Sequence, residues 1–362
     1  MILVYGLAIF SMFFGSGNLV FPIAIGVESS SVIASAIGLG VSAIIVPCIG
    51  CISVILSGLG IGEFLRPIGK LPSQILILLM MLLLGPLGVI PRSIIVAKGG
   101  LSLVFSYFPD GILAAIIALM GYLLAQLPGV VKVIGKVFTP LILAGLSIIF
   151  ITGINFSSSI TPGKQGFYDA LLTGYQTMDL IAALFFAQAL VNSAQSTMRS
   201  KDLVFSSVIG FGCLMAVYIL MIVVSNQYAG QLVDISAEHR MVSISQFVLG
   251  DYAKVIASFV ICFSCITTLS VLLKEFSIYI EGQIPALSCD SIMLVTIIIS
   301  YFGSFLGFSI IASYLGMLLS LIYPSIIFLA LLRLLKFSAN WICGGFYFML
   351  AVNFGCLCLG GI

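Results

Sequence analysis

The stretch FFGSGNLVFP, Phe13 to Pro22, interrupts a run otherwise suited to hydrocarbon with two glycines, a serine, an asparagine and a proline. Small residues in a membrane helix commonly let a neighbouring helix approach closely. The other reading is a helix broken on purpose, so that bare backbone groups face a ligand. Gly15, Ser16, Gly17 and Asn18 are consecutive poor helix formers near mid-span, and Pro22 has no amide hydrogen to give the carbonyl of Asn18. A backbone group left bare in hydrocarbon costs several kcal/mol, so irregular backbone survives only where protein buries it or where it lines a cavity. The stretch therefore predicts a break, and the break predicts a ligand.

The rest of the chain is of the same kind, with 61% apolar and 7% charged residues among 362. Apolar segments of about 20 residues recur, each long enough to cross ~30 Å of hydrocarbon at about 1.5 Å per residue. We read eleven spans, near residues 3–26, 32–60, 73–98, 111–128, 133–154, 167–191, 203–227, 245–277, 290–306, 309–333 and 340–360. The fold class is an all-α polytopic membrane protein; the alternating short strands of a β-barrel are absent. The first run is too long for a cleavable signal peptide and lacks its basic flank, so it is expected to stay in the membrane. The longest loops, residues 156–166, 192–202, 228–243 and 278–289, are too short to hold a core of their own.

Lysine and arginine set the orientation. With the N-terminus cytoplasmic, the inside loops collect Arg66, Lys70, Lys132, Lys136, Arg199, Lys201, Lys274, Arg333 and Lys336, while the outside loops hold chiefly Lys98, Lys164 and Arg240. A formal net charge of +2 without a basic cluster argues against nucleic acid as a partner and leaves membrane lipids as the surroundings. Cys48 with Cys51 and Cys262 with Cys265 have C-x-x-C spacing, but inside apolar helices cysteine behaves as a small hydrophobe.

A second anomaly lies in GYQTMDLIAALFFAQAL, Gly174 to Leu190, where Asp179 falls within the sixth span. An intramembrane carboxylate marks a functional site by default, the competing reading being a structural hydrogen bond to a neighbouring helix or a freed amide. Five spans separate the two interruptions. An odd repeat must begin its second copy from the opposite side of the membrane, so the chain reads as an inverted five-plus-five repeat with discontinuous helices 1 and 6. Residues 1–155 form the first half, residues 167–335 the second, and residues 340–362 an accessory helix. Carriers built this way hold substrate and coupling ion between the two broken helices and rock one bundle against the rest.

FGSGNLVFP, then GPLGVIPRS (Gly85 to Ser93), GYQTMDLIAALFF (Gly174 to Phe186) and CITTLSV (Cys265 to Val271), resemble in order and spacing the motifs of the branched-chain amino acid:cation symporters. Those carriers belong to the amino acid-polyamine-organocation superfamily and share the leucine-transporter fold. The resemblance runs over nearly the whole chain. It implies uptake of leucine, isoleucine and valine with sodium across a bacterial inner membrane, and no enzymatic activity. The family usually has twelve spans, one more than are read here.

The eighth span places the hydroxyls of Ser264, Thr267, Thr268 and Ser270 within two turns. Such hydroxyls commonly bond back to the preceding turn, but a sodium ion also prefers oxygen ligands. The resemblance implies that Thr267 and Thr268 complete a sodium site with backbone carbonyls near Ser11 and Phe14. Amides of Gly15, Ser16 and Gly17, with Asn18 beside them, open a half-helix whose positive end suits a carboxylate. Freed carbonyls or Asp179 would take the ammonium. Ile181, Ala182, Phe185 and residues near Val89 are the expected apolar walls. One methylene is worth only ~1–3 kcal/mol in such a pocket, so leucine, isoleucine and valine should compete.

Rival classes fit less well. A channel needs a continuous polar lining, and a membrane enzyme needs a paired acid and base or a metal cluster. Within the carriers, proton coupling or another neutral amino acid is the alternative. Glu63, Arg92, Asp251, Lys254 and Glu275 also fall in or near spans. Arg92 reads either as a gate paired with a carboxylate or as a snorkelling side chain.

Overall fold

In the computed structural model, which describes residues 1–154, 163–194 and 198–358, the first apolar run forms two helices. α1 (Ile2–Phe13) and α2 (Ser16–Glu28) meet at 70° across Phe14 and Gly15. The break falls at the glycine, and Pro22 lies inside α2 without ending it.

α3 (Val32–Ser57) follows, with a π turn at Val41–Ile45 just ahead of Pro47. The proline ring would clash with the carbonyl four residues back, and a wider turn relieves that clash. The predicted third span is itself two helices, α4 (Lys70–Leu84) and α5 (Val89–Ser102), separated at residues 85–88 by GPLG. Next come α6 (Asp110–Gln126) and α7 (Thr139–Gly153), the latter entered through a second π turn at Ile134–Phe138 ahead of Pro140.

The sixth span is again a bent pair: α8 (Phe167–Tyr175) and α9 (Asp179–Ala194) meet at 44°. α10 (Ser200–Gln227) crosses in one piece. The predicted eighth span begins too early, because Gly250 at φ +79° separates α11 (Arg240–Leu249) from α12 (Asp251–Gln283). α13 (Cys289–Gly303), α14 (Phe308–Leu334) and α15 (Ala339–Cys358) complete the described chain. Among the described residues, seven segments, α4 and α5 counting together as one, and the two bent pairs are long and apolar enough to cross a membrane. The shorter apolar helices α6 and α13 take the places of the remaining predicted spans. The predicted loops 156–166 and 192–202 and the end of the last span lie partly outside the described residues.

Packing exchanges the halves. α1 and α2 lie against α10, whereas α8 and α9 lie against α3, so each broken helix packs on the unbroken helix that follows its counterpart. α12 fills the space beside α1, α5 and α6, and α15 rests on α14 at the periphery with few buried residues. Glycines make these crossings close. A methyl carbon at Gly26 of α2 would fall 2.0 Å from Ser225 Oγ and 2.6 Å from the Ile222 carbonyl of α10. Gly26→Ala should therefore force α2 and α10 apart and lower stability by ~1–3 kcal/mol. Thermal unfolding in detergent checks this against Gly212→Ala on α10, where nothing lies within 4 Å of the added carbon. Equal melting temperatures for the two variants would contradict the close crossing.

Candidate substrate and ion site

Helix geometry exposes backbone at each break. The first amides of α2, at Ser16, Gly17 and Asn18, have no carbonyl one turn earlier, and no side chain caps Gly15. At the other break Met178 adopts φ +61°, a left-handed conformation that costs a non-glycine residue about 1–3 kcal/mol. That turn places Asp179 as the first residue of α9 and turns its carboxylate toward α2.

The two breaks are joined by side chains. Asn18 Nδ2 donates to Asp179 Oδ2 at 2.7 Å and also to the Tyr218 hydroxyl of α10, which donates in turn to the same carboxylate oxygen at 3.4 Å. Asp179 is 3% exposed and makes no ion pair among the described residues. Its partners are thus neutral donors. The Thr177 hydroxyl donates to the Gly174 carbonyl at 2.8 Å and accepts from the Asp179 amide at 3.4 Å, satisfying the end of α8.

Between the breaks lies a narrow, nearly closed cavity of about 10 Å³, room for about one water molecule. Gly15, Ser16, Gly17 and Asn18 form one wall, Thr177, Asp179, Ala182 and Phe186 a second, and Val89, Thr268 and Leu272 much of the rest. Of the substrate residues expected from sequence, Phe185 and Ile181 are buried elsewhere on α9 and do not line the cavity. Phe186 does, and stacks edge-on against Phe13 at 5.1 Å. The spacing Asp179, Ala182, Phe186 is one helical stripe, and that periodicity distinguishes Phe186 from its neighbour.

Beside the cavity, the last turn of α1 leaves carbonyls without helical donors at the negative end of the helix dipole. Hydroxyls of α12 meet them. Thr268 Oγ1 donates to the Met12 carbonyl at 3.0 Å and to that of Ser11 at 3.4 Å, and Thr267 Oγ1 lies 3.3 Å from the Ser11 carbonyl. Ser264 Oγ donates to the Phe14 carbonyl, and Ser11 Oγ lies 3.4 Å from Thr267 Oγ1. The structure thus brings together Ser11, Phe14, Thr267 and Thr268, and adds Met12 and Ser264. These oxygens are neutral and hard, a donor set that suits a cation such as sodium. Sequence reasoning also passed over Tyr218, which sits in an apolar run whose spacing carries no polar signal.

Gly15 connects the two regions. A methyl carbon there would fall 2.8 Å from Thr268 Oγ1, so the backbone of the break rests directly on the threonine that contacts the α1 carbonyls. Thr268 is both cavity wall and carbonyl partner.

Residues 1–356 match the family model described as branched-chain amino acid transport protein. A protein of Staphylococcus aureus (strain bovine RF122 / ET3-1), described as a candidate branched-chain amino acid carrier, is 27% identical over 369 residues, spanning 92% of this chain and 81% of its own. A similarly described protein of Staphylococcus saprophyticus is 26% identical over 366 residues, with the same coverage. Among solved structures, a sodium-coupled sialic acid symporter in a substrate-bound outward-open state superposes with a TM-score of 0.66 at 12% identity, over 97% of this chain and 88% of that one. A nucleobase-cation-symport-1 family transporter in a closed conformation also gives 0.66 at 12% identity, over 99% and 92%. These neighbours show the fold, which is that of the leucine-transporter class, and the family match covers nearly the whole sequence: the chain belongs to the branched-chain amino acid transport protein family.

Proposed function

We propose that this protein takes up leucine, isoleucine and valine by sodium-coupled alternating access, in a bacterial cytoplasmic membrane with its N-terminus inside. The observation that carries the proposal is the double role of Thr268. An ion held by the Ser11, Met12 and Phe14 carbonyls and by the Ser264, Thr267 and Thr268 hydroxyls would draw α1 and α12 together. It would thereby fix the wall on which Gly15 rests, so ion binding shapes the substrate cavity through one side chain.

The substrate is expected to lie with its carboxylate on the amides of Ser16 and Gly17, where the dipole of α2 favours negative charge. Its ammonium would meet Asp179, whose hydrogen-bond partners are neutral and which forms no ion pair among the described residues. Ala182, Phe186, Val89 and Leu272 would enclose the branched side chain. The exchange of packing between the halves supports residues 1–155 and 167–335 as the two inverted repeats, with residues 340–362 accessory.

An inward sodium gradient should drive leucine uptake into proteoliposomes at least about tenfold faster than choline at equal pH and membrane potential, within the usual range of coupling between sites. Equal rates in sodium and choline would remove the ion assignment. Uptake following a proton gradient alone would move the coupling to Asp179.

The two glycines of the break should separate the functions. A methyl carbon at Gly15 falls on Thr268, while one at Gly17 falls 3.3 Å from Thr177 Cα and 3.4 Å from the Phe21 ring. Gly15→Ala should weaken sodium affinity measured at saturating leucine, and Gly17→Ala should weaken leucine affinity at saturating sodium, each by about tenfold or more, ~1.4 kcal/mol. Lowered melting temperatures with both affinities unchanged would make these glycines packing contacts only.

A further inference from the structure

Arg92 of α5 is the largest fully buried side chain, at 0% exposure, and forms no ion pair among the described residues. Burying an arginine without a carboxylate is costly unless other groups hold it. Nη1 donates to the Gln176 carbonyl at 2.9 Å, where the chain leaves α8. The guanidinium lies beside the paired rings of Phe21 on α2 and Phe308 at the start of α14, 5.8 Å from each centroid. Those rings are 5.6 Å apart, and Nε and Nη2 have no hydrogen-bond partner.

These groups share one side of the cavity. Arg92 is one turn beyond Val89, Phe21 one turn beyond Gly17, and Gln176 adjoins Thr177, all three reference residues being cavity walls. One side chain therefore ties α2, the α8 terminus and α14 to α5 on the same side. Every contact is made by a planar guanidinium to a carbonyl or a ring, and a lysine ammonium cannot reproduce that arrangement.

We infer that Arg92 is a positioning residue that latches the cavity shut on the side of Phe21 and Phe308, the outer side when the N-terminus is cytoplasmic. This rests on the transport reading for its purpose, but its geometry stands apart from any substrate. The latch is reversible because it contains no ion pair: with Nε and Nη2 unpartnered, the guanidinium can trade the Gln176 carbonyl for water when that side opens. Without the latch, α2 and α8 loosen against α5 and α14, and the open state gains population at the expense of closure.

Hydrogen–deuterium exchange on the purified full chain tests the latch without a substrate. Arg92→Gln and Arg92→Lys should both speed exchange at residues 16–28 and 167–175 by about fivefold or more, leaving residues 2–13 and 251–283 unchanged. Phe308→Leu removes one ring and leaves the guanidinium in place, so it carries the test if the arginine variants fail to fold. It should speed exchange in the same two segments. Unchanged exchange there, or faster exchange spread equally over all described helices, would overturn the latch. In proteoliposomes the same variants should keep leucine binding while turnover falls, and a loss of binding with turnover per bound leucine intact would also overturn it. A wild-type protein that ignored leucine would instead refute the transport reading, with the exchange pattern still deciding the latch.

Discussion

Everything in this structure follows from the rule that backbone polar groups inside hydrocarbon must find partners. Besides the short interruption at residues 85–88, the chain opens its helices at Phe14–Gly15 and at Gln176–Met178, and the hydrogen bond from Asn18 to Asp179 ties these two breaks together. Around that bond the remaining groups are matched by type. Amides of α2 and a carboxylate face the cavity; carbonyls of α1 face the hydroxyls of α12; the carbonyl of Gln176 faces a guanidinium. Donors and acceptors are thus sorted to different sides, which is what a zwitterion and a cation require of a shared site.

The sorting also accounts for the choice of residues. Glycine at position 15 keeps the threonine close, and glycine at position 17 keeps the two breaks in contact at Thr177. Met178 takes a strained conformation to turn Asp179 inward. Proline elsewhere is absorbed locally: Pro47 and Pro140 each follow a π turn, and Pro22 sits in α2 without a kink large enough to divide it. Composition therefore marks places where a helix is disturbed, and tertiary partners decide which disturbances become sites.

Much of this was legible in the sequence because hydrocarbon is an unforgiving solvent. Long apolar runs gave the helices, and FGSGN could not continue one. Asp179 and the threonine pair stood out as polar groups where polar groups are costly. What stayed hidden depends on packing. Tyr218 meets Asn18 only because α10 lies against α2, and through that meeting it reaches Asp179. Met12 contributes a backbone carbonyl, which no residue type announces. Apolar flanks mask GPLG, so residues 85–88 read as part of one continuous span, and Arg92, which reads as a gate paired with a carboxylate or as a snorkelling side chain, has a carbonyl and two rings as neighbours. Composition alone does not distinguish the adjacent phenylalanines Phe185 and Phe186, whereas the helical stripe through Asp179 and Ala182 reaches Phe186.

The central claim is that one threonine couples an ion site to a substrate site, and thermodynamic linkage makes that claim measurable in the purified protein. Leucine binding should be titrated at increasing sodium, with choline holding ionic strength constant, in wild type and in Thr268→Val. The account predicts that sodium tightens leucine binding by about tenfold or more in wild type, that leucine tightens sodium binding by the same factor, and that the valine variant loses this mutual effect. Leucine affinity independent of sodium in wild type, or full coupling retained without the Thr268 hydroxyl, would contradict it.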